Sequence, residues 1–145
     1  MIRLTRRYHF SASHRLHARE LSDSQNRELY GKCNNPFGHG HDYVVEVSAR
    51  GPLDPLSSRV IDTGALDQLV RQEVLEAFEH KNLNVEVPEF AQVVPTSENL
   101  GIEVARRLRL HWKEHFPGEW PQLDRIRIAE TPRNTFELVV GNEGN

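Results

Sequence analysis

The sequence predicts an α+β fold in which a four-stranded antiparallel sheet carries two helices on one face, in the chain order ββααββ. Near both ends of the chain apolar residues alternate with polar ones, which is typical of half-buried strands. Two stretches between them carry apolar residues at helical spacing. A length of 145 residues suits one domain, so we expect residues 1–145 to form a single domain.

The two predicted N-terminal strands each place histidine on an apolar face. From Ile2 to His14 the even positions are mostly apolar, and His14 ends that face. Residues 15–38 show no period and are expected to form a long loop with a short helical turn over 23–29. A second strand is predicted over 39–50, with His39 and His41 at its odd, mostly apolar positions.

The rest of the chain predicts two helices and two strands. The first helix is expected to begin at Asp62 or Thr63 and to end at 78–81. The second begins at Thr96, stops before 117–118, and carries an apolar face that we assign to Ile102, Ala105, Leu108 and Trp112. Strands follow over 123–131 and 135–140. A four-stranded sheet has two free edges, so we expect the chain to oligomerise through them.

Composition excludes several classes of function. A net charge of −3 argues against nucleic acid as the main partner. No apolar run approaches the roughly 20 residues that a membrane helix needs, and the N-terminus lacks the apolar core of a secretory signal. Cys33 is the only cysteine, so no disulfide can form within the chain, which suits the reducing cytoplasm. We therefore expect a cytoplasmic protein.

The spacing of the histidines is that of a metal site. His39 and His41 are two residues apart in a predicted strand, so both point to one face, and Gly38 and Gly40 leave room beside them. His14 could supply a third ligand. Three histidines are typical of a catalytic zinc that keeps its fourth position open. The alternatives are that these are ordinary strand-end histidines and that Cys33 is a small buried apolar residue.

Five motifs in order resemble the 6-pyruvoyltetrahydropterin synthase family, which includes the 6-carboxytetrahydropterin synthases of the queuosine pathway. The motifs are FSASHRL at 10–16, GKCNNPFGHGHDY at 31–43, HKNL at 80–83, TSEN at 96–99 and AET at 129–131. The resemblance extends from about residue 4 to about residue 140. It implies the tunnelling fold, in which ββααββ subunits form a barrel-shaped trimer, two trimers stack into a hexamer, and active sites lie between subunits.

The resemblance also implies the residues of the site. Its zinc ligands fall on His14, His39 and His41, the same three that the spacing indicates. Its catalytic residues fall on Cys33, His80 and Glu79, and its substrate-binding residues on Glu130, Thr96 and Ser97. Glu130 would anchor the pterin. Glu79 stands where the animal enzymes usually have aspartate, so the carboxylate is kept with one more methylene.

The activity implied is that of a carbon–oxygen lyase of tetrahydrobiopterin biosynthesis. With zinc it converts 7,8-dihydroneopterin triphosphate to 6-pyruvoyltetrahydropterin, eliminating triphosphate and moving hydrogen within the molecule. Arg15 and Lys32 are candidates to hold the triphosphate charge.

Two other functions stay open. One is the synthesis of 6-carboxytetrahydropterin with loss of acetaldehyde, although the five residues between Cys33 and His39 favour the pyruvoyl type. The other is a zinc- and pterin-binding oligomer without turnover, in which Glu79 has disabled the relay; the retained Cys33 and His80 argue against it.

Overall fold

The computed structural model describes residues 1–140. Four strands form one antiparallel sheet in the order β1-β2-β3-β4. They are β1 (Ile2–His14), β2 (His39–Gly51), β3 (Gln122–Thr131) and β4 (Asn134–Val139). The predicted α+β architecture is therefore confirmed, and the strand bounds differ from the predicted ones by one residue at most.

The helices follow the predicted order, with additional short turns between them. They are α1 (Asp23–Tyr30), α2 (Thr63–Val70), α3 (Glu76–Phe78), α4 (Leu83–Glu86) and α5 (Ser97–His115). A π-helical segment, Arg71–Leu75, joins α2 to α3, so that the first predicted helix is continuous through Phe78. Asp62 caps α2 by accepting hydrogen bonds from the backbone of Gly64 and Ala65.

The core lies between one face of the sheet and the helices α2 and α5. Tyr43, Val45 and Val47 of β2 and Ile126 of β3 are fully buried on that face. Leu66 and Leu69 of α2 and Leu100 and Leu108 of α5 are buried against them. Both long helices therefore cover the same face, as predicted, because the alternating apolar residues of the strands must be removed from water on that side.

The apolar face predicted for α5 is wrong at one residue. The side chains of Leu108 and Trp112 are buried, but 54% of the Ile102 surface is exposed. The buried stripe instead begins at Leu100 and continues through Val104. At 3.6 residues per turn, Ile102 lies almost on the opposite side of the helix from Leu100. No helix within residues 1–140 combines the length and the apolar composition needed to cross a membrane.

Candidate metal centre

The ends of β1 and β2 bring the three predicted histidines together. The two strands pair without a break in register, so that His14 lies directly opposite His39 and Ala12 opposite His41. The ring centroid of His41 is 4.7 Å from that of His14 and 4.2 Å from that of His39. Side chains two residues apart share a face of a strand, and the cross-strand partner adds the third ring.

The ligand atoms of these rings converge with the thiol of Cys33. One ring nitrogen from each histidine and the sulfur of Cys33 all lie within 4.8 Å of one another. His39 Nε2 is 2.9 Å from Cys33 Sγ and 3.3 Å from His41 Nε2. Imidazole nitrogen and thiolate sulfur are the ligand types that zinc prefers. The three histidines and Cys33 together can therefore hold a metal ion.

His14 is held in the tautomer that a metal ligand needs. Its side chain is fully buried, and Nδ1 lies 2.9 Å from the carbonyl oxygen of Pro95 and 3.2 Å from the Tyr43 hydroxyl. Because a carbonyl only accepts hydrogen bonds, Nδ1 carries the proton and Nε2 keeps its lone pair. Nε2 faces the cluster, is buried and has no hydrogen-bond partner within the described chain. A backbone carbonyl on the far nitrogen is typical of metal-binding histidine.

The local environment favours neutral imidazoles and opposes an isolated thiolate. Burial, together with the neighbouring His14, lowers the pKa of both His39 and His41. Neutral imidazole is the form that binds a metal. Burial and the charge of Glu130 raise the pKa of the Cys33 thiol. Cys33 therefore needs positive charge at the cluster to become a thiolate near neutral pH.

A bulge in β3 carries Glu130 next to the cluster. The pairing of β3 with β4 shifts register between Ala129 and Thr131, which is typical of a β-bulge that re-aims one side chain. Glu130 Oε1 is 2.6 Å from His41 Nε2 and 3.4 Å from His14 Nε2, and Oε2 accepts a hydrogen bond of 2.7 Å from Ser97.

Glu130 is ionised in this position. Burial alone would raise the pKa of Glu130, but in acid, where the histidine rings are protonated, its contact with His14, the hydrogen bond from Ser97 and the charge of His41 lower it to about 2. The side chain is therefore a carboxylate that accepts hydrogen bonds at neutral pH. The structure thus brings the predicted Glu130 and Ser97 to the histidines.

The N-terminus of α5 lies beside the cluster, because Pro95 contacts His14 and Ser97 contacts Glu130. Thr96 Oγ1 accepts a hydrogen bond from the backbone of Asn99 and so caps the helix. Pro95, one residue earlier, provides the carbonyl that orients His14. Capping of α5 is the role that the structure shows for Thr96. The contact of Thr96 with substrate stays a prediction.

Glu79 and His80 lie at the outer edge of β1. His80 Nε2 is 3.0 Å from Glu79 Oε1, and 80% of the His80 side chain is exposed. The His80 backbone donates a 2.6 Å hydrogen bond to the carbonyl of Ser11. Within residues 1–140, no hydrogen bond or ion pair joins this pair to the histidine cluster. The residues predicted to be catalytic therefore occupy two separate places in one chain.

Three supporting residues were not predicted from the sequence. The Pro95 carbonyl and the Tyr43 hydroxyl orient His14, and the Asn34 side chain donates a 2.7 Å hydrogen bond to the carbonyl of Leu16, which fixes the loop around Cys33. Tyr43 shares the face of His39 and His41, which was a usable signal. The Pro95 carbonyl contacts His14 across 81 residues of sequence, and no local pattern predicts such a contact.

Gly38 is required where the loop passes His14. Its φ is +72°, and a Cβ there would lie 2.8 Å from the His14 carbonyl oxygen. Gly31 has a φ of +55° but nothing within 4 Å of its Cβ position, so it is a matched control. Gly31 has a ψ of −124°, outside the left-handed helical region, and such a sparsely populated conformation costs about 1–3 kcal/mol for a residue with a side chain. We expect Gly31→Ala to lower the free energy of unfolding by that amount and Gly38→Ala to lower it by distinctly more, measured by urea unfolding. Equal losses for the two variants would contradict the close approach of Gly38 to the His14 carbonyl.

Comparisons with known proteins agree with this geometry. The sequence model of the family described as 6-pyruvoyl tetrahydropterin synthase matches residues 3–139. The chain is 44% identical over 131 residues to the 6-pyruvoyl tetrahydrobiopterin synthase of Poecilia reticulata, covering 90% of this chain and 85% of that one. It is 35% identical over 153 aligned residues to the 6-carboxy-5,6,7,8-tetrahydropterin synthase of Rickettsia conorii, covering 95% and 100%.

A solved structure extends the similarity to the whole fold. The 6-pyruvoyl tetrahydropterin synthase of Caenorhabditis elegans superposes with a TM-score of 0.86 at 39% identity, covering 95% of this chain and 94% of that one. The match of the family's model to nearly the whole sequence, together with these relatives, places the chain in the 6-pyruvoyl tetrahydropterin synthase family.

Proposed function

We propose that this chain is a cytoplasmic, zinc-dependent carbon–oxygen lyase that converts 7,8-dihydroneopterin triphosphate to 6-pyruvoyltetrahydropterin, with elimination of triphosphate. The observation that carries the proposal is the convergence of three histidine nitrogens with Cys33 at one end of the sheet. The carboxylate of Glu130 lies beside them and offers an anchor for a ring that carries N–H groups. The similarity to the 6-pyruvoyl tetrahydrobiopterin synthase of Poecilia reticulata supports a product of the pyruvoyl type.

The residues that would hold zinc are His14, His39 and His41. His14 fits because its Nε2 is buried, keeps its lone pair and faces the other two rings. When bound there, zinc would supply Lewis acidity that makes the carbon-bound protons of the substrate side chain easier to remove. In this assignment Cys33 stays available for proton transfer.

Cys33 would remove a carbon-bound proton as a thiolate. It lies 2.9 Å from His39 Nε2, so it is beside the reacting part of any substrate held at the histidines. Burial and the charge of Glu130 oppose the ionisation of Cys33. It would therefore need nearby positive charge, from zinc at the histidines and from Lys32, its neighbour in sequence.

Glu130 would fix the pterin ring. An ionised carboxylate can accept two hydrogen bonds, one from the exocyclic amino group and one from a ring N–H of the pterin. The Ser97 hydroxyl already holds Oε2 of Glu130, which limits the rotation of the carboxylate. Thr96, which caps the same helix, would contact the substrate from this side.

We propose that His80 and Glu79 serve the site of a neighbouring subunit, in a homotrimer or hexamer. His80 is highly exposed beside β1, which is an edge strand of the sheet. Residues 80–82 hydrogen-bond to this strand only at Ser11 and Ser13 within the described chain, which leaves the preceding part of the edge open to pairing with another chain. His80 also has a φ of +58°, an uncommon conformation for a residue with a side chain. Such strain at an exposed histidine that contacts a carboxylate supports a functional role.

Shared sites predict complementation between two inactive variants. Cys33→Ala and His80→Ala proteins are each expected to have little activity. If the two are co-expressed and assemble at random, about one quarter of the sites combine an intact Cys33 with an intact His80 across an interface. Activity should therefore return to about one quarter of wild type. A mixture no more active than its two components alone would contradict a site shared between subunits.

The experiment that tests the proposed function is a product assay by mass spectrometry on zinc-loaded protein given 7,8-dihydroneopterin triphosphate. Triphosphate release with a pyruvoyl product is expected. The similarity to the Rickettsia conorii protein favours a second candidate, the 6-carboxy product, which acetaldehyde release would reveal. Binding of zinc and pterin without conversion would overturn both enzymatic activities. It would favour a zinc- and pterin-binding oligomer without turnover, in which Glu79 has disabled the relay.

A further inference from the structure

A cationic cavity adjoins the metal centre. Its volume is about 520 Å³, within the roughly 300–1,000 Å³ typical of ligand pockets. The side chains that matter for its chemistry are those of Arg15, Asp23, Arg27, Lys32, Asn35 and His39. His39 belongs to both the cavity and the histidine cluster. A ligand in the cavity would therefore touch the edge of the metal centre.

The positive charge of this cavity is not neutralised by the protein. Arg15, Arg27 and Lys32 form no ion pair within residues 1–140. Elsewhere the arginines commonly have carboxylate partners, as Arg6 has in Asp67 at 2.6 Å. Three cations against the single carboxylate of Asp23 leave an excess of positive charge in a chain whose net charge is −3. Such a local excess favours an anionic ligand.

The segments that carry the three cationic side chains are fixed by hydrogen bonds and helical turns. Arg15 Nε donates a 3.2 Å hydrogen bond to the carbonyl of Asn34, and its backbone N–H donates to Asn84 Oδ1 at 2.7 Å. Arg27 lies in α1, which starts with a reciprocal capping box at Ser22. Lys32 lies in the 3-10 turn that leads into Cys33. The cavity is therefore largely formed before a ligand arrives, which lowers the entropic cost of binding.

We propose that this cavity binds the polyphosphate group of the substrate and of the released product, and that Arg27 of α1 determines specificity for it. The proposal rests on the proposed function and gives a role to the 15–38 loop. Guanidinium groups bind phosphate oxygens through paired, charge-assisted hydrogen bonds. The pterin end would lie at Glu130 and the polyphosphate end at Arg27, with the reacting side chain between them at the histidines.

The first test measures the binding of inorganic tripolyphosphate to zinc-loaded protein by calorimetry. Arg27→Gln is expected to weaken binding roughly 10- to 100-fold, the range for losing hydrogen bonds to a charged group. Arg19→Gln is the matched control, because it removes the same charge from the same loop. Arg19 contacts Gln92 and does not line the cavity. Arg27→Lys should recover part of the affinity, and equal affinities of the Arg27→Gln and Arg19→Gln proteins would overturn the proposal.

A second test separates this proposal from the proposed function. For the triphosphate substrate, Arg27→Gln should raise KM more than it lowers kcat, because the lost contact also exists in the ground state. Wild-type protein that binds tripolyphosphate through Arg27 but makes no product would overturn the proposed function and support the anion site. Normal turnover with KM unchanged in Arg27→Gln would overturn the anion site alone.

Discussion

The His39→Ala protein is expected to lose both its zinc and its turnover. His39 is one of three rings whose nitrogens converge, and two remaining histidines form an incomplete set for tetrahedral zinc. Mutation of a residue that only hydrogen-bonds to a metal ligand typically lowers the metal affinity 10- to 100-fold. Because His39 is itself a candidate ligand, we expect its loss to lower the affinity for zinc by more than about 100-fold. Zinc content after dialysis, measured by plasma mass spectrometry, gives the first readout, and product formation gives the second.

The matched control for His39→Ala is His9→Ala. His9 lies on the opposite face of β1 from His14 and is exposed, so its removal should leave zinc content and turnover close to wild type. Because His39 is partly exposed at a strand end, its loss should leave the fold intact, which far-UV circular dichroism can verify. One equivalent of zinc in a folded His39→Ala protein would show that the metal is held elsewhere.

The Cys33→Ala protein is expected to keep its zinc and lose its turnover. If Cys33 is the base, its removal should lower kcat by about 10²–10⁴-fold, the range for loss of a general base. The three histidines remain, so the zinc content should stay near one equivalent. Metal analysis and steady-state kinetics on the same preparation provide the test.

The same pair of measurements distinguishes a base from a ligand. The sulfur of Cys33 lies within the group that could hold a metal, 2.9 Å from His39 Nε2. Loss of zinc in parallel with activity would assign Cys33 to the metal rather than to proton transfer. Full zinc content with full turnover would exclude a catalytic role for Cys33. Neither outcome would change the assignment of the three histidines as metal ligands.

The sequence by itself determined the fold and the position of the histidine cluster. The alternation through Ile2–His14 and the odd positions of β2 place His14, His39 and His41 on one buried face, since strand geometry has a period of two residues. Helix caps were similarly readable: Asp62 and Thr96 each begin a helix as their side chains predict. These features depend on short-range rules that each segment obeys alone.

Only the tertiary structure decided how the remaining residues relate to that site. Pro95 orients His14 through a backbone carbonyl, and a bulge in β3 turns Glu130 toward His41; neither contact has a local sequence pattern. The gathering of Arg27 with Lys32 around one cavity depends on the path of a loop without period. Such contacts join distant segments, and packing of the whole chain fixes their distances. For the same reason, the sequence motifs grouped His80 with Cys33, whereas the folded chain places His80 on an exposed edge.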